Sequence, residues 1–282
     1  MSANGASQVE SRRSHRVGLS ILCVALSFVV IAPVLWILSL SLKSSSEAIG
    51  NSLLPAVPKF GNFTQAWTEY TLGTFFLNSV VVTVASVVAT LFVSILAAYS
   101  FTRLKFRGSE WVFGFLLLGL ILPPAALSIP LLVEFRQLGL INSRVGLTLA
   151  YIGFGIPIAT LILRGFFERL PTDLLDAARL DGCSEWTIVW RVVVPMSKSA
   201  IATVIVLLFL FTWNEFIVAL VLLSETHLFT LPVGLGAQVG QYNNSYNLIA
   251  AAVLIASMPV FVLYLALQGQ FERGVTEGAL KG

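Results

Sequence analysis

Residues 75–101 read FFLNSVVVTVASVVATLFVSILAAYSF, and no side chain in the run is charged. Glu69 precedes it and Arg103 follows it. A helix needs roughly 20 mainly apolar residues to cross about 30 Å of hydrocarbon, and this run is long enough. In lipid the backbone N–H and C=O groups find no water, so a helix, which pairs them within the segment, is the structure such a run takes.

Five further apolar runs lie around it. They are 17–42, 111–133 (with Pro123-Pro124 inside), 145–163, a run from Lys198 to about 223 interrupted only by Glu215, and 248–267. The uncharged region 228–270 is too long for one span. Gln238 and the polar run 241–247 divide it, so 228–247 is expected to be an extracytoplasmic loop carrying a short surface helix. The composition agrees. Of 282 residues 57% are apolar and only 11% are charged, against about 45–50% and about 25% in soluble domains. That excludes an ordinary soluble enzyme, a disordered chain and a fibrous protein. The fold class expected is an all-α membrane protein with six transmembrane helices.

The apolar run 17–42 far exceeds the roughly 7–15 residues of a cleaved signal core, so it reads as an uncleaved anchor. Basic residues set the orientation. With the N-terminus inside, the inner segments hold Arg12, Arg13, Arg16, Arg103, Lys105, Arg107, Arg164, Arg169, Arg179, Arg191, Lys198, Arg273 and Lys281. The outer segments hold only Lys43, Lys59, Arg136 and Arg144. Both termini are therefore expected to be cytoplasmic. The expected organisation is an N-terminal tail at 1–16, a six-span domain at 17–270 and a C-terminal tail at 271–282. The net charge of +3 reflects this asymmetry, and no nucleic-acid partner is expected. Cys23 falls in a span and Cys183 in an inner loop, so no disulfide is expected. Pro33, Pro123, Pro124, Pro157 and Pro259 lie within spans, as helix-lining kinks or ordinary ones.

The inner loop 164–198 departs from the rest. It gathers Arg164, Glu168, Arg169, Asp173, Asp176, Arg179, Asp181, Glu185, Arg191 and Lys198. Pro171-Thr172-Asp173 reads as a helix start, with a capping residue and an acid in the first turn. Leu174, Leu175, Ala178 and Leu180 can form an apolar side, and Ala177-Ala178 keep one face small. Gly182 stops that helix. Ser184 can cap a second one, in which Trp186, Val189, Trp190 and Val193 recur at helical spacing and which Pro195 ends. By shape alone this helix, glycine turn and helix suits either a docking element or an amphipathic surface helix.

From Asp176 to Pro195 the loop reads DAARLDGCSEWTIVWRVVVP. This resembles the signature loop of binding-protein-dependent ABC importer permeases, E-A-A, three residues, G, nine residues, I-x-L-P. Asp176-Ala177-Ala178, Gly182, Val192, Val194 and Pro195 match the spacing, with Asp for Glu and Val for Ile and Leu. Asn78-Ser79, Ala97-Ala98-Tyr99 with Arg103, Leu138-Gly139-Leu140-Ile141-Asn142-Ser143, Leu170-Pro171, Trp213-Asn214-Glu215-Phe216 and the tail Gly278-Ala279-Leu280-Lys281-Gly282 also look like the family. Together they are similar to the maltose-type carbohydrate-uptake branch, on the side of the smaller permease subunit.

The resemblance implies a type I ABC importer transmembrane domain in the cytoplasmic membrane of a prokaryote. It implies a second permease subunit (a heterodimer), two ATPase subunits and an extracytoplasmic solute-binding protein. The permease itself would be no enzyme and hold no cofactor, ATP and Mg being bound by the ATPases. Asp176, Ala177, Ala178, Gly182 and Pro195 would form the ATPase-coupling element. Ala177 and Ala178 allow close approach, Gly182 sets the angle between the helices and Pro195 marks the junction with the fifth span. Asp176 can accept a hydrogen bond from the ATPase, worth about 1.5–3 kcal/mol if charge-assisted.

Glu215 is the one acid inside a span, where ionisable groups are costly and often functional. With Trp213 and Asn214 it offers an aromatic platform and polar groups suited to a sugar. It is also open to a packing or anchoring role. At a rise of ~1.5 Å per residue it lies beyond mid-membrane. The segments 44–70 and 228–247 are candidate surfaces for the binding protein, and residues 270–282 for the ATPase. His15 and His227 have no second ligand at metal spacing, so no metal is expected. No phosphate-binding loop, paired carboxylates or Ser/His/Asp set is visible. The alternatives are an ABC permease for a phosphorylated polyol, amino acid or peptide, and an ion-coupled secondary transporter. The latter would usually show embedded ionisable groups and a repeat.

Overall fold

The computed structural model describes the backbone of residues 3–104, 106–241 and 245–279, and the side chains of 19, 20, 22–104, 106–239 and 245–269. Among these residues every regular element is helical. In chain order they are α1 (Ala3–Ser41), α2 (Ser45–Ile49), α3 (Gly61–Glu69), α4 (Leu72–Tyr99), α5 (Ser109–Leu117), α6 (Pro124–Gln137) and α7 (Arg144–Phe167). There follow α8 (Thr172–Leu180), α9 (Glu185–Ile188), α10 (Val194–Met196), α11 (Lys198–Asn214), α12 (Ile217–Leu222), α13 (Leu231–Gln241) and α14 (Tyr246–Ala279). Leu22–Ser41, Leu72–Leu104, Arg144–Phe167 and Tyr246–Gly269 are long and apolar enough to cross a membrane. Counting two bent pairs as one span each brings the number to six.

Two compact units are distinguished: Met1–Glu69 with Val239–Ile255, and Tyr70–Gln238 with Ala256–Gly282. In the first, α1 ends where Asn62 of α3 donates through Nδ2 to the carbonyls of Ser41 and Lys43, both at 2.8 Å. That supplies donors to carbonyls a helix end leaves unpaired. Lys43 is buried; its ammonium donates to the Ser52 carbonyl and lies 4.8 Å from the Trp36 ring centre. Ser44 and Glu47 form a capping box at the start of α2, satisfying two more donors.

In the second unit α4 packs along α7, with α11 against both. A stripe of small residues, Ser79, Thr83, Ser86, Thr90, Ser94 and Ala98, runs along the buried face of α4, flanked by Val82, Val87 and Ile95. Small residues let membrane helices approach closely, so that dispersion replaces the hydrophobic drive lipid cannot supply. Gly155 of α7 meets this stripe. A Cβ there would stand 2.9 Å from both the Thr90 methyl and Leu208 of α11.

Two spans expected as single helices are broken. In the third, α5 and its 3-10 extension are bent by 100° from α6. Pro123 and Pro124 lack N–H donors, and Pro123, preceding a proline, is extended (φ −67°, ψ 138°). In the fifth, α11 stops at Asn214 and α12 begins at Ile217, with Glu215 extended between them (φ −67°, ψ 129°). The expected surface helix in 228–247 is α13, but its first half is buried. Leu231, Val233 and Gly234 face inward, and a Cβ on Gly234 would lie 2.1 Å from the Phe75 ring. Residues 242–244 and 280–282, within the expected polar divide and the expected C-terminal contact, lie outside the described residues.

Candidate functional site

The loop between α7 and α11 folds as a helix, a glycine turn and a helix. The N–H of Cys183 donates to the Ala178 carbonyl and that of Gly182 to the Arg179 carbonyl, both at 3.0 Å. Gly182 has φ +80°. This is a Schellman termination, whose left-handed position favours glycine. Nothing lies within 4 Å of a Cβ built on Gly182, so the backbone angle, not space, asks for glycine. Ser184 caps α9 by accepting from the Thr187 N–H at 3.3 Å. Pro171, not Thr172, occupies the N-cap of α8, without a side-chain cap bond.

Of the expected apolar side of α8, only Leu175 is buried, and Ala178 packs beside it. Leu174 and Leu180 turn outward, Leu180 at 89% exposure, together with Ala177, Asp173 and Asp176. The reason is helical phase. Leu175 and Ala178 are three residues apart and share the inward face; Leu180 falls about 140° round the helix from Leu175, and Leu174, one turn before Ala178, stands half exposed at the rim of that face. The inward face joins a cluster with Ala98, Tyr99, Leu163, Phe167, Ile188, Val189, Val193 and Val204. The loop thus sits on the ends of α4, α7 and α11 and leaves an apolar, acid-edged face uncovered.

Charges order the loop internally. Arg179 binds Asp176 (Nη1 to Oδ1, 2.9 Å) and Glu185 (Nε to Oε1, 2.9 Å), spanning the glycine turn. The Tyr99 hydroxyl donates to the same Glu185 carboxylate. The Arg179 guanidinium first, then the Tyr99 hydroxyl, hold the Glu185 carboxyl below its ordinary pKa. Arg179 is correspondingly raised, chiefly by its bond to Glu185. Where the loop begins, Arg103 donates through Nη2 to the carbonyls of Phe167 (2.6 Å) and Leu170 (2.7 Å). Arg164 pairs with Glu110 (2.7 Å) and Glu168 (2.9 Å) and covers the Phe113 ring.

Pro195, expected to end the loop's second helix, lies one residue before its last, Met196, in α10. Ahead of it, 189–193 widen into a π-helical turn in which the Val194 N–H reaches the Val189 carbonyl. A proline has no N–H to continue the α ladder, and a wider turn absorbs the mismatch. The chain then turns by 83° between α10 and α11. Ser197, fully buried, occupies that corner.

The second candidate trio lies at the other end of α11, roughly 25 Å from Lys198 along a 17-residue helix. Trp213 is buried, stacked on Phe209 (5.4 Å, 9°), edge-on to Phe76 (5.6 Å), and donates to the Ala256 carbonyl at 3.0 Å. Glu215 accepts from Tyr151 Oη (2.7 Å) and from the N–H groups of Val218 (2.8 Å) and Ala219 (3.0 Å). Asn214 is the exposed member and donates to the Leu210 carbonyl at 2.8 Å. The platform role expected of Trp213 and the ligand role expected of Glu215 thus compete with interior bonds that already engage both.

Several family-like motifs acquire structural roles. Asn78 Nδ2 donates to the carbonyls of His227 and Phe229, both at 2.9 Å, and Ser79 Oγ accepts from the Leu231 N–H at 2.7 Å. Asn142, at φ +50°, accepts from the N–H and hydroxyl of Ser224 (2.6 and 2.8 Å). These residues hold the segment 224–231 from both sides. The roles of Tyr99, Arg103, Arg179 and Glu185 were not apparent in sequence. The available signal was a Tyr and an Arg four residues apart at the end of a span, which also suits an interfacial anchor.

Comparison with known proteins places these features in context. The family described as the binding-protein-dependent transport system inner membrane component matches residues 90–277. The chain is 32% identical over 263 residues to the diacetylchitobiose uptake system permease protein of Streptomyces coelicolor, covering 92% of this chain and 87% of the relative. It is 33% identical over 252 residues to the trehalose transport system permease protein of Mycobacterium tuberculosis, covering 89% and 92%. Its fold is similar to that of a bacterial ABC transporter involved in the import of the acidic polysaccharide alginate. The TM-score is 0.82 at 24% identity, over 93% of this chain and 98% of that one.

Proposed function

This chain belongs to the family of binding-protein-dependent transport system inner membrane components, and we propose that it is a permease subunit of an ATP-driven importer for an oligo- or disaccharide. It builds the pathway with a second permease, receives solute from an extracytoplasmic binding protein and couples to two cytoplasmic ATPase subunits. Relatives named for diacetylchitobiose, trehalose and arabinooligosaccharides support the sugar class.

The observation that carries the coupling role is the outward face of α8. Leu174, Ala177 and Leu180 are exposed beside Asp173 and Asp176, on a helix that a Schellman turn and the Arg179 ion pairs hold in fixed shape. A rigid apolar ridge at the surface is what a groove on a partner requires, since pre-ordering lowers the entropy lost on docking. Ala177 and Ala178 admit close approach, Gly182 fixes the angle to α9, and Pro195 with the corner at Ser197 passes motion to α11. Asp176 can exchange its bond to Arg179 for one to the ATPase. The loop then faces the cytoplasm, in line with the basic residues.

The test is purification with the neighbouring gene products and reconstitution into vesicles. Uptake that needs ATP and the soluble binding protein, and persists without an ion gradient, supports the reading. Uptake driven by an ion gradient alone refutes it. The ligand that co-purifies with the binding protein identifies the solute.

A further inference from the structure

The end of the second span reaches the coupling loop at three places. Near the start of the loop, Arg103 binds the carbonyls of Phe167 and Leu170. Past the glycine turn, Tyr99 binds Glu185, which Arg179 ties back to α8. One turn or more before Tyr99, Phe92 stacks on Trp190 (5.8 Å, 15°) and meets Trp186 edge-on (6.4 Å). All three contacts come from the one helix α4 and its extension. They engage the loop on both sides of Gly182.

Both partners also carry a π-helical turn next to the tie: Ser100–Leu104 directly after Tyr99, and Val189–Val193 directly after α9. Such turns interrupt the α ladder, are places where helices kink, and are frequent at functional sites. Between them the Tyr99–Glu185–Arg179 chain is stiff, because each member is fixed by at least one charge-assisted bond. By contrast, the covalent route from the loop to α11 passes through a π turn, a proline and an 83° corner.

We propose that Tyr99 and Glu185 are positioning residues that clamp the coupling loop to the second span, so that ATPase motion is delivered to α4 as one body with the loop. Flexure is left to the corner at Ser197. This rests on the docking reading above and adds a route which that reading does not contain.

The experiment uses the complete transporter, isolated through a tag on its ATPase subunit. Spin labels are placed at Leu77→Cys on α4 and Arg191→Cys in the turn 189–193 that follows α9, both exposed, in a Cys23→Ala, Cys183→Ala background. Distances are measured without nucleotide and with Mg-AMP-PNP. The clamp predicts one narrow distribution with the same mean in both states. In Tyr99→Phe, which removes one hydroxyl, the distribution should become roughly twofold broader, as a mixture of tied and untied loops would be. Glu185→Ala should do the same, and serves if Tyr99→Phe fails to assemble. A nucleotide-driven shift beyond ~2 Å in the parent, the size of an interface helix slide, would overturn the clamp. So would an unchanged distribution in the variants. Absence of the permease from the tagged ATPase preparation would instead overturn the docking reading.

Discussion

Tyr151 of α7 and Glu215 meet at 2.7 Å at the break in the fifth span, and the same carboxylate caps the first turn of α12 through the Val218 and Ala219 amides. A carboxylate suits a helix N-terminus, where the unpaired N–H groups carry partial positive charge. The acid therefore has a structural reason to sit at depth. It closes the gap that the interrupted ladder would otherwise leave open.

Replacing Glu215 by Ala should orphan these donors, at ~1–3 kcal/mol for each one left buried. The melting temperature of the detergent-solubilised complex should fall by several degrees. Tyr151→Phe, which leaves the cap intact, should fall less. Equal melting in all three proteins would remove the capping role.

Gly182→Asp should abolish uptake while leaving the subunit in the membrane. Strain at the positive φ amounts to roughly 1–2 kcal/mol, too little to unfold the domain, and no neighbour opposes the side chain. The damage would fall on docking, where a new charge enters the ridge. Membrane fractionation and uptake in the same cells check both halves; undiminished uptake would sink the coupling role.

Arg103→Met keeps most of the side-chain volume but leaves the Phe167 and Leu170 carbonyls without their donor. Hydrogen bonds from a charged group are worth about 1.5–3 kcal/mol, so the start of the loop should loosen. Hydrogen exchange at 168–175 should accelerate by at least roughly tenfold, a loss of ~1.4 kcal/mol of local protection. Exchange confined to parental rates would contradict this.

Gly234→Ala tests the far end. The added methyl would overlap the Phe75 ring at 2.1 Å, and overpacking of this kind costs about 1–3 kcal/mol. A lower melting temperature that a smaller residue at Phe75 partly restores is expected. Additive losses in the double variant would argue against direct contact.

Acid should release the loop. The Glu185 carboxyl is held below its ordinary value, so its ion pair stabilises the folded loop above that value and is lost as pH falls through the depressed one. Trp186 and Trp190 lie beside it and report the change by fluorescence. Glu185→Gln should flatten the acid limb of that titration; an identical limb would assign the transition to another group.

Much of this protein was legible from composition and spacing. Apolar runs named the spans, because length against hydrocarbon thickness is a one-dimensional criterion. Gly182, Ser184 and the alternation around them described the loop, because caps and turns are local. Other features were beyond reach because they depend on which surfaces meet. Leu174 and Leu180 looked equivalent to Leu175 until packing against α4 and α7 buried Leu175 alone. Glu215 could be read either as a sugar contact or as a packing group, because an acid in an apolar run carries no sign of the donors waiting for it. Tyr99 and Glu185 are 86 residues apart, and no pattern within either segment points to the other. The sequence by itself determined which runs are apolar enough to span a membrane and where the glycine turn of the loop falls. Only the tertiary structure decided which polar groups these segments satisfy, since a buried hydrogen bond needs a partner that packing of distant segments supplies.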